Sequence, residues 1–179
     1  MKLLNPVLGI AAVLITGALY AQRPAAAGFE KRFLEMMPQH HEGGVQMARV
    51  CQQKASHAEL KEFCSEIVSA QEQEKQQMLG WRKDWYQSDV GMPDAERAQM
   101  MAQSKEQMSK VQAASGNDFD RTFLQVMIDH HRQGLSELKA CTTNAEHDGL
   151  KELCTKMHTK HEQEIATMQK WMQSWSAGQ

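Results

Sequence analysis

Residues 33–44 read FLEMMPQHHEGG, and ninety positions later residues 123–134 read FLQVMIDHHRQG. At that offset residues 29–86 align with residues 119–176 without a gap. The matched pairs include Phe33/Phe123, Met37/Met127, His40/His130, His41/His131, Gly44/Gly134, Cys51/Cys141, His57/His147, Cys64/Cys154, Glu74/Glu164, Met78/Met168, Trp81/Trp171 and Trp85/Trp175. A shared helical core would repeat leucines, but not their histidines, cysteines and tryptophans as well. The chain therefore carries an internal duplication.

Each copy reads as two helices joined by a turn around His57 or His147. Phe33, Met37, His40, His41, Gly44, Met47, Ala48 and Cys51 recur at steps of three and four, as do Leu60, Cys64, Ile67, Gln71, Glu74, Met78, Trp81 and Trp85. Such steps place each set on one helical face. Between the copies a break at residues 89–91 precedes Pro93-Asp94-Ala95-Glu96, which opens an Ala/Gln/Met-rich helix running to about Ser115. Within the connector 87–117 that helix spans about 30 Å, enough to carry the chain from one end of a bundle to the other. Asp118 is the N-cap candidate for the helix that follows. The expected fold is all-α: a four-helix, ferritin-like bundle of two duplicated hairpins (29–86 and 119–176) joined by a connecting helix, one domain over residues 28–179.

The 179 residues carry 20 Lys+Arg against 22 Asp+Glu, a net charge of −2 that excludes a basic nucleic-acid surface. Residues 1–27 have a signal-peptide grammar: Lys2, an apolar run through Ile10, Val13 and Leu19, then small residues around Ala21 and Ala25-Ala26-Ala27. Export with cleavage is the first reading, and an uncleaved anchor the second, because residues 3–21 are nearly long enough to span a bilayer. No later segment can insert. The expected location is the periplasm or the medium, where an even number of cysteines implies disulfides. The repeated separation of 13 favours Cys51–Cys64 and Cys141–Cys154, with thiolate metal ligation as the alternative.

A disulfide across an antiparallel hairpin also sets the helix register. Level residues have numbers summing to about 115 in the first copy and 295 in the second, as the cysteine pairs do. His41 then faces Glu74, Met37 faces Met78 and Gly44 faces Gln71. In the second copy His131 faces Glu164, Met127 faces Met168, Gly134 faces His161 and Glu137 faces His158. Imidazole, carboxylate and thioether converge on core faces, where unpaired polar groups are costly. A His–Glu hydrogen bond with Met as filler explains one such pair, yet the set occurs twice. The 13 methionines also outnumber the 11 aromatic residues, which points to selection for sulfur. Thioether suits Cu(I) and, by the same softness, Ag(I), while imidazole also accepts Cu(II). Met47 lies further along the first His helix. His158 and His161, spaced i, i+3, give the second copy imidazoles the first lacks. Met92, Met100, Met101 and Met108 gather in the connector, where packing and ligation are both open readings. Trp81 and Trp171 read as closing the ends of the core, and His57 and His147 as turn residues.

No Glu precedes any of the paired or spaced histidines by three, so the Glu-x-x-His of a di-iron bundle is absent. G-x-S-x-G, P-loop, H-E-x-x-H and C-x-x-C patterns are absent too. Binding, rather than turnover, is the expectation.

FLEMMPQHH (33–41) with Met47-Ala48, followed by Ala70-Gln71-Glu72-Gln73-Glu74 and Met78-x-x-Trp81, resembles the domain of unknown function 305 family, placed with ferritin-like bundles. The family pattern has Ile-Pro before the His pair and Ile after the Glu. Here Pro38-Gln39 and Lys75 stand there, and the second copy, with Ile128-Asp129-His130-His131, lacks the Met-Ala step. The resemblance covers the whole exported part. Its members include a periplasmic copper-binding protein, so it implies binding of Cu(I), Cu(II) and Ag(I) for buffering or export. It maps the ligands onto Met37, His40, His41, Met47, Met78, Met127, His130, His131 and Met168. The partner expected beyond the metal is a copper efflux or sensor protein of the envelope. Two rival readings are an envelope copper oxidoreductase and a metal-free module whose Met-rich faces grip another protein.

Overall fold

The computed structural model describes residues 16–87 and 91–176. They form five helices: α1 (Thr16–Lys54), α2 (Ala58–Tyr86), α3 (Asp94–Ala113), α4 (Asn117–Asn144) and α5 (Asp148–Ser176). No strand occurs among the described residues. The segment read as a signal peptide lies outside them up to residue 15, and α1 starts within its remainder. None of the described helices is long and apolar enough to cross a membrane.

The α1–α2 and α4–α5 hairpins are each closed by a disulfide, Cys51–Cys64 and Cys141–Cys154, the pairing that the spacing favours. Closing a loop of this length contributes about 3 kcal/mol in the chain-entropy model. No cysteine is free, so thiolate ligation is overturned.

The two hairpins pack head to tail. Phe119, Phe123, Leu124, Met127 and Met168 of the second copy share one apolar cluster with the Cys51–Cys64 end of the first. Phe33, Leu34, Met37 and Met78 of the first share the other with the Cys141–Cys154 end of the second. The core is thus two apolar halves with a layer between them.

Each end of the bundle is fastened by the same device. Asp120, buried, accepts hydrogen bonds from the backbone N–H groups of Ser56 (2.9 Å) and His57 (3.0 Å), and from the His57 ring at 2.6 Å. The indole of Trp175 stacks on that ring with centroids 3.7 Å apart. Ninety residues back, Glu30 accepts from the backbone N–H groups of Glu146 and His147 and pairs with the His147 ring at 2.8 Å, while Trp85 stacks over that ring at 3.7 Å. Each acid supplies acceptors to helix-start N–H groups that have no partner within their own helix.

The connector behaves as expected of a crossover. Its start is held on α1 by Glu35, which accepts from the N–H of Gly91 (2.6 Å) and of Met92 (3.1 Å) and pairs with Arg97. Gly91 rests on the α1 backbone, where a Cβ would come within 2.6 Å of the Lys31 carbonyl. At the far end Lys54 donates to the carbonyls of Gln112 (2.7 Å) and Ala114 (3.1 Å). α3 therefore runs beside α1 in the same direction, and it also packs against α4. One expectation fails: the N-cap of α4 is Gly116, in a positive-φ conformation (φ 56°), and Asp118 lies in the first turn. A glycine adopts that φ without strain, and the acid still faces the helix N-terminus favourably.

Replacing Asp120 by Ala removes the acceptor of three buried or half-buried donors. We expect a loss of about 1–3 kcal/mol in urea unfolding, and a similar loss for Glu30→Ala. A change below about 0.5 kcal/mol in both would remove the clamps from the account of stability.

Candidate metal centre

Between the two apolar halves lie five imidazoles: His40 and His41 from α1, His130 and His131 from α4, and His161 from α5. Consecutive residues diverge by about 100° around a helix, so each His-His pair sends one ring to its own hairpin partner and one toward the opposite hairpin. His41 reaches Glu74 at 2.9 Å and His131 reaches Glu164 at 2.7 Å, the pairs that the register places level. His40 and His130 stack on each other across the bundle with centroids 3.9 Å apart, and His131 lies 4.3 Å from His161.

Space for this layer comes from the paired glycines. A Cβ on Gly44 would collide with the Gln71 amide and lie 3.0 Å from His130 Nε2. One on Gly134 would lie 3.2 Å from His40 Cε1 and 3.5 Å from the His161 ring. Both glycines recur because α1 and α4 must each leave room for a neighbouring side chain.

The hydrogen bonds fix which nitrogens are available. His41 and His131 use Nε2 toward their glutamates, which leaves each Nδ1 without a hydrogen-bond partner. His130 Nδ1 meets the Gln107 amide oxygen of α3 at 3.1 Å, which leaves its Nε2. Seven imidazole nitrogens are shut from solvent without a hydrogen-bond partner of normal geometry: both of His40 and of His161, Nδ1 of His41 and His131, and Nε2 of His130. A buried polar atom left unpaired costs about 1–3 kcal/mol, so seven together rival the roughly 5–15 kcal/mol that holds a domain folded. Carboxylate-oriented imidazoles with a free second nitrogen are what metal sites use. His131, His161 and Glu164 bring one ligand atom each within 4.8 Å of one another. In the first copy Gln71 stands where His161 stands in the second, so the two halves differ.

Thioethers border the layer on both sides. Met37 and Met78 lie buried in one apolar half, and Met47, Met127 and Met168 in the other. Met37 and Met127 each sit one helical turn from a His pair, as Met78 and Met168 do from Glu74 and Glu164. His158 does not join the cluster; it is half-buried, with Nδ1 3.4 Å from Glu162. Glu137, level with it, pairs instead with Arg32 at 2.9 Å. Trp81 stacks on Trp85 and Trp171 on Trp175, at the ends of the core. The sequence reading missed Gln107, whose role depends on the path of α3. It also missed Glu30 and Asp120, although both are acids at one repeat position.

Burial pushes the His40 ring down to about 3 from an ordinary 6.5, with His41 and His131 adding like-charge repulsion. His130 and His161 are also pushed well below the ordinary value, first by burial and then by the neighbouring imidazoles. The unfolded chain takes up protons at these three positions below about pH 6.5 and the folded metal-free chain does not, so acidification favours unfolding. Glu30 and Glu35 add to the loss at lower pH. Their carboxyls are held below the usual range because hydrogen bonds to Tyr86, His147, Gly91 and Arg97 outweigh burial. Metal-free protein should lose stability from pH 6.5 downward by as much as about 1.4 kcal/mol per pH unit for each imidazole. Unfolding curves in urea check this. A flat profile between pH 7 and 5 would contradict neutral burial.

A structure described as CopM in the Cu(I)-bound form is 29% identical, covering 82% of this chain and 96% of that one, with a TM-score of 0.69. CopM is also solved in Cu(II)-bound and Ag-bound forms. A DUF305 protein from Streptomyces coelicolor, described as secreted, is 23% identical over 85% of this chain and 94% of its own, with a TM-score of 0.70. A DUF305 fragment from Deinococcus radiodurans is 19% identical over 82% and 96%, with a TM-score of 0.71, and these last two likenesses support the fold alone. No curated protein matches the chain. The family described as "Domain of unknown function (DUF305)" matches residues 28–172, which takes in both hairpins and the connector, and the chain belongs to that family.

Proposed function

We propose that the chain is an exported copper-holding protein that sequesters Cu(I) and Cu(II), and with them Ag(I), in the periplasm or medium and hands copper on for resistance or homeostasis. The observation that carries the reading is the layer of seven unpartnered, buried imidazole nitrogens. An apolar core has no use for them, whereas a metal satisfies several at once. Met37, Met78, Met127 and Met168 border the layer and favour a soft ion. The likeness to CopM, solved with Cu(I), Cu(II) and Ag bound, points the same way. Two disulfides suit an oxidising compartment, and they leave Met and His as the soft and borderline donors. His41 and His131 are the rings best prepared to ligate through Nδ1, with Glu74 and Glu164 setting their tautomers. In this reading the protein holds copper without turning over a substrate, and delivery to an efflux or sensor protein of the envelope follows as its partner chemistry.

A second reading has its own observation. The His131–His161–Glu164 set, two imidazoles and a carboxylate, is also one that Zn²⁺ accepts. Competition separates the two. Anaerobic titration of the mature, disulfide-intact protein with Cu(I) against a chromophoric chelator should show tight uptake, and excess Zn²⁺ should not displace it. Displacement by Zn²⁺ would favour the second reading, and no uptake of either ion would sink both.

Variants separate ligation from packing. His161→Leu should weaken copper binding at least about tenfold, a loss of about 1.4 kcal/mol, and should also stabilise the metal-free chain because it removes two orphaned nitrogens. Met37→Leu with Met127→Leu, close to volume-conserving, should lower affinity for Cu(I) more than for Cu(II). Unchanged copper affinity in all of these would mark the layer as structural.

A further inference from the structure

On α3, Met100 and Met108 pack against the two apolar halves of the core, but Met101 stands exposed, and the copper reading leaves its sulfur unexplained. α3 is close to the imidazole layer: a Cβ on Gly43 of α1 would lie 2.9 Å from Ser104 Oγ and 3.7 Å from His130 Cε1. Gln107, one turn further along α3, holds His130 at 3.1 Å. A cavity of about 20 Å³ lies at this junction, lined by His40 and His130 from the core and by Met100, Gln103, Ser104 and Gln107 from α3. That volume is about what one water or one bare ion occupies. His40 borders it with both nitrogens unpartnered, and His130 with Nε2 unpartnered.

Outside the cavity runs a groove of about 540 Å³ between α1 and α3. The two spaces share Gln39, Met100 and Ser104 in their walls, so the groove adjoins the cavity. Met101 and Met108 line the groove as well. Met101 is 62% exposed, and with Leu79 it makes up the large exposed apolar side chains among the described residues. Packing does not call for a methionine there.

We propose that the Met100–Met101–Met108 face of α3 is an intake port that captures a soft monovalent cation, Cu(I) or Ag(I), and passes it through the cavity to His40 and His130. The proposal rests on the copper reading above and adds the route. Met101, exposed, makes the first thioether contact. Met100, shared by groove and cavity, receives the ion next. His130 then accepts it through Nε2, because the Gln107 amide oxygen accepts a hydrogen bond from its Nδ1–H. The step is ligand exchange alone: each Cu–S contact is replaced by a Cu–N contact, the ion stays Cu(I), and no electron or proton is transferred. A harder ion such as Cu(II) gains little from thioethers and does not depend on them.

The test is the rate of loading. Mature, disulfide-intact protein is mixed anaerobically in a stopped-flow instrument with a coloured Cu(I)–chelator complex, and the loss of colour is followed. Met100→Leu with Met101→Leu and Met108→Leu should slow Cu(I) loading about tenfold, with final stoichiometry and affinity unchanged and the Cu(II) rate preserved. Met101→Leu alone, on an exposed side chain that folding does not need, should slow it measurably. Equal rates in wild type and both variants would overturn the port while leaving the copper site in place. A parallel loss of rate and affinity would also overturn it, since the methionines would then be holding ligands. If the wild-type protein takes up no Cu(I), the copper reading itself fails, and the titration that tests that reading registers this separately.

Discussion

Five imidazoles in the middle of a helical bundle are the constraint around which the rest of this structure is arranged. Ordinary core residues at those positions would let the two apolar halves merge and would raise stability. Instead the chain interrupts its core with rings whose free nitrogens lack partners. Such a layer persists only if the surrounding structure holds it together, and the sources of stability lie accordingly at the two ends. Each end has a disulfide, a Trp–His stack and a buried acid bonded to the start of a helix in the opposite hairpin. The unpartnered groups are in the centre and the fastenings are outside it.

Duplication explains both the economy and the asymmetry of the arrangement. One hairpin supplies half a core, two imidazoles, a glycine opposite a polar group and a carboxylate that sets a ring's tautomer. Packing two copies head to tail brings His40 against His130 and closes each half on the other's disulfide end. The copies then diverge at positions 71 and 161, where Gln faces Gly44 and His lies beside Gly134. The second half is richer in imidazole, while Met47 gives the first a sulfur where the second has Glu137. The two halves thus offer donor sets of different softness.

Much of this was legible in the sequence because two rules apply with little interference. Helical periodicity placed His41, Glu74, His131 and Glu164 on core faces, and the cysteine spacing fixed the register that set them level. Both His–Glu pairs formed as that register required. What the sequence did not disclose depended on contacts between elements far apart in the chain. Glu137 was level with His158 but pairs with Arg32 of α1, and His158 has Nδ1 3.4 Å from Glu162. Asp120 and Glu30 bond across the copies, which no single-hairpin register can reveal. Gln107 acquires its place only when Gly43 lets α3 approach. Asp118 had the right chemistry for a cap, but Gly116 was favoured because the chain must turn through positive φ there.

The central claim is that the imidazole layer, bordered by thioethers, holds copper. Anomalous diffraction at the copper edge, from crystals of the mature chain loaded anaerobically with Cu(I), locates the ion directly. The account predicts a peak within bonding distance of nitrogens from His41, His131 or their neighbours in the central layer. Peaks confined to surface side chains, with the central imidazoles still unbridged, would contradict it.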